Sequence, residues 1–428
     1  MFDNYRKACL GILFYTFFFP DLCYNKNNMA VCLLGIEAGE ENKYMRRWVL
    51  VACLTFFSVT SITKAEEWTK VSLYDNKIPS SVKMNLKYKG EHPDIVDYVF
   101  VSSRTANIRD YPGMEGNIIE KYSYNDKLPL LEKIYVKGNY WYKVRTPKGN
   151  EGYIAASVSQ KRNFRFDMAL DKIKSLENFL ATEKAAGRKI AAVNSYAPNP
   201  NHLDLQKNKD KYGTSADQNT AGTNDAGETI YIPDRSLVSI QSSGAGSSKV
   251  KALSVPEILT VSNRNISYAN IPNTNFNKVI AIDSKNQNFI VFEKQEGEWE
   301  VISYVYSKTG MDSKLGFETP KGFFSTAMGK YVMPYNDENG QKQGAAKYAL
   351  RFCGGGYIHG TPINDVEEVN REFFMKQKEF TLGTYSGTRK CIRTSEPHAK
   401  FLFDWVIKKP NRSANAQNLT DNLVVIVF

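Results

Sequence analysis

The sequence predicts a mostly-β protein with a few helices, and three observations carry that reading. First, from Val99 to Val158 short β-rich runs alternate with turns: Tyr98-Val99-Phe100-Val101, Ala106-Asn107-Ile108-Arg109, Leu128-Pro129-Leu130-Leu131, Tyr140-Trp141-Tyr142-Lys143-Val144 and Gly152-Tyr153-Ile154. Strands spaced this closely imply a small barrel. Second, short apolar runs recur from Val279 to the last residues, where Leu423-Val424-Val425-Ile426-Val427-Phe428 reads as a terminal strand. Third, helical spacing is confined to a few segments. With 428 residues, 13% of them aromatic and 24% charged, the chain has core material for two or three domains and does not resemble a disordered protein.

At the N-terminal end, Met45-Arg46-Arg47, the apolar run Trp48 to Ile62 and Thr63-Lys64-Ala65 have the charged, apolar and small-residue parts of a secretory signal. The run is too short for a membrane span of about 20 residues. A second apolar run, Ala8 to Pro20, lies upstream. Two readings fit residues 1–65: a signal beginning at Met45 behind a mis-assigned start, or a first run retained as a membrane anchor. Of six cysteines, Cys9, Cys23, Cys32 and Cys53 fall in this region, leaving Cys353 and Cys391 beyond it. An exported chain without a dense cysteine framework takes its stability from core packing. His92, His202, His359 and His398 show no metal-ligand spacing and no C-x-x-C pair is present, so no metal and no cofactor are expected. A net charge of +11 over this length, without basic stripes interleaved with aromatics, does not indicate nucleic-acid binding. It suits either anionic polymers or a merely solvated surface.

After the β-rich segment, Phe166 to Ala186 has helical spacing through Met168, Ile173, Leu176, Phe179 and Leu180, with Gly187 placed as a C-cap. Asn194 to Glu228 is dominated by polar residues, and Gln241 to Ser248 reads as a Ser/Gly spacer. The region 163–255 is therefore expected to be a helix followed by polar linker, with Thr229 to Ile232 and Leu237 to Ile240 as two strands of no assigned domain. Further on, Asn364 to Phe380 reads as a helix with Val366, Val369, Phe373 and Phe374 near one face. A cap over a cleft and a helix packed on the domain flank both fit it. A last helix has Ser395 as N-cap, Glu396 and Pro397 in its first turn, and Phe401, Leu402, Trp405 and Val406 as its buried face.

Chemistry concentrates near the C-terminus. Cys391 lies among Arg389, Lys390 and Arg393, and His359 follows a glycine run. Nearby positive charge lowers a thiol pKa from its usual value of about 8.5, and the thiolate is the nucleophile. Spacing alone favours an inert buried cysteine.

Four ordered pieces sharpen this. The strand pair Val279 to Asp283 and Phe289 to Glu293, the Thr319-Pro320-Lys321-Gly322-Phe323-Phe324 turn, Ile358-His359-Gly360-Thr361 and Cys391-Ile392-Arg393 together resemble the catalytic domain of L,D-transpeptidases, over residues 276–428. Ala106 to Pro112, Asn139 to Val144 and Gly152 to Ile154 resemble a bacterial SH3-like module, over 95–160. The resemblance implies a mostly-β enzyme that cross-links peptidoglycan stem peptides through a Cys391 acyl-enzyme. It implies His359 as base and then acid, the Gly360 carbonyl as orienter of its ring, and an oxyanion hole of backbone N–H groups at Lys390 and Cys391. Arg393, Arg389 and Thr388 would bind the stem, and carbapenem-type inhibitors are expected. It places the protein in the periplasm or wall of a bacterium, acting on the cell wall. Two other readings stay open, an L,D-carboxypeptidase on the same site and a non-catalytic wall-binding protein. Departures accompany the match: Arg389 stands where histidine is common and Lys390 where the family has glycine, and the His359–Cys391 separation is lengthened by the segment Asn364 to Phe380. His398 is the rival base, expected at the surface because it lies in the first turn of a helix. In the SH3-like module, Tyr111, Tyr140 and Trp141 could line a peptide groove, with Trp141 the one favoured as core.

Overall fold

In the computed structural model, residues 68–195, 208–269, 271, 276–313, 316–337 and 339–428 are described. The two apolar N-terminal runs fall outside them. Residues from Glu66 onward form one compact unit of four sheets and three α-helices among the described residues. The mostly-β class read from the sequence is the class observed.

The first sheet follows the path Ile118–Ser123, Thr105–Arg109, Glu151–Ala155, Asn139–Arg145, Lys127–Val136, Asp97–Val101 and Ser159–Asn163, with Thr69–Leu73 beside Lys127–Val136. It is the SH3-like module, and its strands form an open path rather than a closed ring. Val99, Val101, Ile108, Leu128, Leu130, Val144 and Ile154 fill it from alternate positions. Trp141 is core, packed on Ile134 and Val136, while Tyr140 stays exposed.

The helix Phe166–Ala185 ends where expected, at Gly187 with φ +70°, and the Arg188 N–H donates to Glu183 O at 3.0 Å. It buries Phe166, Ile173, Leu176, Phe179 and Leu180 and leaves Met168 exposed.

Where the sequence reads polar linker, the structure holds a sheet. Its path is Thr229–Pro233, Asn219–Thr223, Ile258–Ser262, Ser247–Ala252, Leu237–Ser243, Ile190–Val193 and Ile266–Ser267. The supposed Ser/Gly spacer is the hairpin between Leu237–Ser243 and Ser247–Ala252. The physical reason is the use of small residues on an inward face. Thr220 and Ser248 share the buried face with Ile230, Ile232, Val238, Val250, Leu259 and Val261, Ser239 is buried on the opposite face and donates to Glu183 at 2.8 Å, and a Cβ on Gly222 would meet Leu259 at 2.9 Å. Small polar residues that alternate with a few apolar ones are read as loop, although the alternation is that of a strand.

The C-terminal third packs two sheets around one core. In one, Lys278–Asp283 pairs antiparallel with Asn288–Gln295 and parallel with the terminal strand Val424–Val427, which also pairs with Gly322–Ser325. Val279 and Ala281 face the long helix, while Ile280 and Ile282 face the second sheet. A strand buried on both faces reads as a continuous apolar run, which is how Val279 to Ile282 appears. The second sheet consists of Met328–Asn336, Lys342–Cys353, Gly356–His359 and Ile392–Arg393, with Ile363–Asn364 beside Lys342–Cys353. The helix Glu396–Val406 closes this core with Ala399, Leu402, Phe403 and Val406.

The inserted segment forms a 3₁₀ turn over Asp365–Asn370 and the helix Arg371–Phe380. Its apolar face contributes nothing to the buried core: Val366, Val369, Phe373 and Phe380 are exposed, and Phe374 is half-buried against the Phe373 ring. Polar contacts hold it instead. Glu379 accepts from Thr361 Oγ1 at 2.8 Å and from the Glu396 N–H at 3.0 Å, and Lys127 of the SH3-like module donates to Phe380 O at 2.8 Å.

Candidate active site

Gly356–His359 and Ile392–Arg393 are adjacent parallel strands in the register Ile358 to Ile392 and His359 to Arg393. Side chains alternate along a strand, so Cys391 and Arg393 share one face with Tyr357 and His359, while Ile358 and Ile392 point into the core. Lys308 joins this row. Its N–H and C=O exchange hydrogen bonds with those of Arg393 at 2.9 and 2.8 Å, which sets the two side chains on the same face.

His359 is 5% exposed, with Nδ1 2.6 Å from Gly360 O. Only an N–H can donate to a carbonyl, so Nδ1 carries the proton and Nε2 keeps its lone pair. Burial pushes its pKa down to about 4; the Gly360 bond opposes that shift and the charge of Arg393 adds to it. The ring is therefore a neutral base at ordinary pH.

For Cys391 the structure reverses the expected direction. Burial pushes its thiol up, against a backbone hydrogen bond from Tyr357 and the charges of Lys390 and Arg393. Three cations flank Cys391 in the sequence, but their charges are spent differently. Lys390 Nζ is paired with Asp217 Oδ2 at 3.1 Å with both side chains buried, and the exposed Arg389 donates to Asn336 O at 3.3 Å. The resting pair is thus a neutral thiol and a neutral imidazole.

Thr388 Oγ1 donates to the carbonyl of Cys391, tying the loop around Cys391 to itself. Arg393 is the free cation of the motif. Its guanidinium makes no hydrogen bond or ion pair among the described residues, its Nε is buried without a partner, and burial lowers its pKa. Beside it, Lys308 is lowered to about 8, by burial first and then by the charge of Arg393. Sequence reasoning missed Lys308. It lies far upstream of both motifs, and only the backbone pairing brings it to Arg393.

His398 is not at the surface. It is fully buried, with Nε2 2.5 Å from Ser303 Oγ and Nδ1 3.4 Å from Thr394 Oγ1, and Tyr88 stands edge-on at 4.7 Å. Its helix turns that first-turn position inward onto the core. Cys353 is also fully buried, and burial pushes its thiol up to about 12.

Residues 277–425 match the family model of the L,D-transpeptidase catalytic domain, and residues 104–160 match that of the bacterial SH3 domain. The C-terminal domain belongs to the L,D-transpeptidase family. Among solved structures the chain is similar to a fused Zn-dependent amidase/peptidase/peptidoglycan-binding domain-containing protein of Clostridium acetobutylicum ATCC 824, at 16% identity and TM-score 0.22 over 36% of this chain and 52% of that one. It is similar to the LD transpeptidase LdtMt1 in complex with imipenem, at 15% identity and TM-score 0.24 over 55% and 90%. It is also similar to L,D-transpeptidase 1 of Mycobacterium tuberculosis, at 14% identity and TM-score 0.23 over 56% and 100%. The chain spans about half the length of the first of these, 52%. No curated protein matches it. The L,D-transpeptidase assignment rests on the family-model match at residues 277–425.

Proposed function

We propose that the protein is an exported L,D-transpeptidase that forms peptidoglycan cross-links through an acyl-enzyme on Cys391. The observation that carries this is the state of His359. Its Nδ1 is committed to Gly360 O, and its free nitrogen lies on the same sheet face as Cys391 and the unpaired Arg393. A neutral thiol and a neutral imidazole suit concerted proton transfer during attack.

In this reading Cys391 Sγ attacks the carbonyl of the third residue of a donor tetrapeptide stem, and its proton passes to His359 Nε2. The S–C bond forms, the C–N bond to the terminal D-alanine breaks, and the leaving nitrogen takes the proton from His359. A side-chain amine of an acceptor stem then attacks the thioester, loses a proton to His359, and frees the thiol. Backbone N–H groups at Lys390 and Cys391 would hold the oxyanion, a contribution typically of about 2.7–4 kcal/mol per donor. Arg393, with Lys308 and Arg389 near it, would bind stem carboxylates, because a guanidinium matches a carboxylate bidentately. Thr388 keeps the loop closed. The SH3-like module would supply affinity for the wall.

Mass spectrometry of tetrapeptide-bearing wall fragments incubated with the purified protein tests this. Cross-linked dimers with release of D-alanine are expected, and Cys391→Ala abolishes them. Trimmed tripeptides without dimers would make it an L,D-carboxypeptidase. Unchanged fragments that co-sediment with the protein would make it a wall-binding protein.

A further inference from the structure

The residue before the nucleophile poses a physical problem. Lys390 has φ +135°, a region that glycine enters freely and a side chain enters at a cost. Such geometry persists only where the surroundings over-determine it, and here three contacts do so. Thr319 Oγ1 donates to Lys390 O at 2.8 Å while accepting from the Gly310 N–H at 2.7 Å. Gly310 packs so closely that a Cβ there would lie 2.7 Å from Lys390 Cα. The third contact comes from outside the catalytic domain: Lys390 Nζ reaches Asp217 Oδ2 at 3.1 Å and Asp217 O at 3.3 Å. The two side chains are 4% and 3% exposed.

Asp217 lies just before the strand Asn219–Thr223 of the seven-stranded sheet, and the same segment grips the other wall of the nucleophile. A Cβ on Gly354 would meet Gln218 O at 2.6 Å. The next residue, Gly355, has its carbonyl 3.7 Å from Cys391 Sγ. Behind it a second buried ion pair, Arg351 to Asp234, ties the strand leading into this turn to the same sheet. The segment Asp217-Gln218 thus touches both the residue before Cys391 and the turn beneath its sulfur.

We propose that Asp217 is a positioning residue for acyl transfer: through its ion pair it holds Lys390 in the geometry that a glycine would adopt unaided, and so sets the backbone N–H groups flanking Cys391. The seven-stranded sheet is then part of the active-site framework. The proposal rests on the acyl-enzyme reading given above. It also explains how a lysine is tolerated in the family's glycine position: its charge is neutralised and its backbone is clamped.

A buried pair broken on one side leaves an uncompensated charge, so Asp217→Asn alone can simply unfold the protein. The informative variants remove both charges. Asp217→Asn/Lys390→Met keeps the packed volume, and Asp217→Asn/Lys390→Gly restores a residue at home at φ +135°. Two rates are read on each folded protein: acylation of Cys391 by imipenem, followed by intact mass, and alkylation of Cys391 by iodoacetamide, which needs only an accessible thiolate. Wild type should be acylated at Cys391. The Met double variant should be alkylated within about threefold of wild type but acylated at least about tenfold more slowly, as for a misaligned oxyanion donor. The Gly double variant should recover most of the lost acylation rate. A Met double variant that is acylated at the wild-type rate overturns the proposal and makes the pair a structural bond only. So does a Gly double variant as slow as the Met one. A wild type that is alkylated by iodoacetamide but takes no imipenem overturns the transpeptidase reading, and this proposal with it.

Discussion

Two buried histidines lie in the same domain, one at the end of the strand Gly356–His359 and one at the start of the helix Glu396–Val406. Burial lowers both, His359 to about 4 and His398 to about 3, and both are neutral at ordinary pH. Their hydrogen bonds separate them. His359 spends one nitrogen on a carbonyl and leaves the other open on a face that carries the Cys391 thiol, Arg393 and Lys308. His398 engages hydroxyls with both nitrogens, Ser303 and Thr394, inside a cluster of Tyr88, Phe289 and Phe401 rings. A perturbed pKa therefore does not identify the base, because burial alone produces it. What sets His359 apart is an uncommitted ring nitrogen on the face that carries Cys391.

The largest effect that can break this comparison is kinetic. His359→Ala should slow imipenem acylation of Cys391 by about 100-fold or more, the usual size of a general-base contribution, with little change in melting temperature. His398→Ala should do the opposite, losing stability while its folded fraction reacts at near the wild-type rate. If the two variants exchange these phenotypes, His398 is the base.

The pH dependence separates them again. Acylation should fall on the acid side only as pH approaches about 4, where His359 takes its proton, and not near the ordinary histidine value. Stability should respond over a wider window. A buried histidine with a depressed pKa binds fewer protons folded than unfolded, so its contribution is complete above about 6.5 and is lost as pH falls from there toward about 3 for His398. The loss is on the order of 1.4 kcal/mol for each pH unit in that window. Urea titrations at pH 7 and pH 4.5 measure it in wild type, and a His398→Phe variant should show a shallower decline. Equal slopes would mean that His398 does not stay neutral in the fold.

A smaller effect tests the neighbours that only His359 has. Lys308→Met should raise KM for a stem peptide by about tenfold with kcat within about threefold, as expected for one lost charged contact to a carboxylate. A fall in kcat at unchanged KM would give Lys308 a chemical role instead.

The catalytic third of the fold was legible because its signals are local and periodic. Val279 to Ile282 and Val424 to Val427 are continuous apolar runs, as strands buried on both faces must be. His359, Gly360, Cys391 and Arg393 were legible through short motifs. What escaped depends on partners far away in sequence. The strands from Asn219 to Ser262 bury threonine, serine and glycine against a thin apolar core, and that composition is also the composition of linkers. The charges around Cys391 were counted in the right number but with the wrong effect. Nothing near Lys390 in sequence reveals Asp217, and nothing near Arg393 reveals Lys308. His398 was placed by its helix position, which says how far along the first turn it lies but not which way that turn faces.

The smallest effect sharpens the comparison most finely. Ser303→Ala removes the hydroxyl 2.5 Å from His398 Nε2 and leaves a buried ring nitrogen without that partner. Losing one such bond in a closed site should cost about 1–3 kcal/mol of stability, measured by urea denaturation, because no water replaces the hydroxyl. Since Ser303 lies on the core strand Glu298–Tyr306 and His398 does no chemistry in this reading, the imipenem acylation rate of the folded variant should stay within about twofold of wild type. A rate that falls in step with stability would couple the His398 cluster to the nucleophile loop through Thr394, which bonds both His398 Nδ1 and, by its N–H, the His359 carbonyl at 3.0 Å. That outcome would turn two separate histidines into one linked system. An unchanged rate leaves burial with stability and the open nitrogen with chemistry.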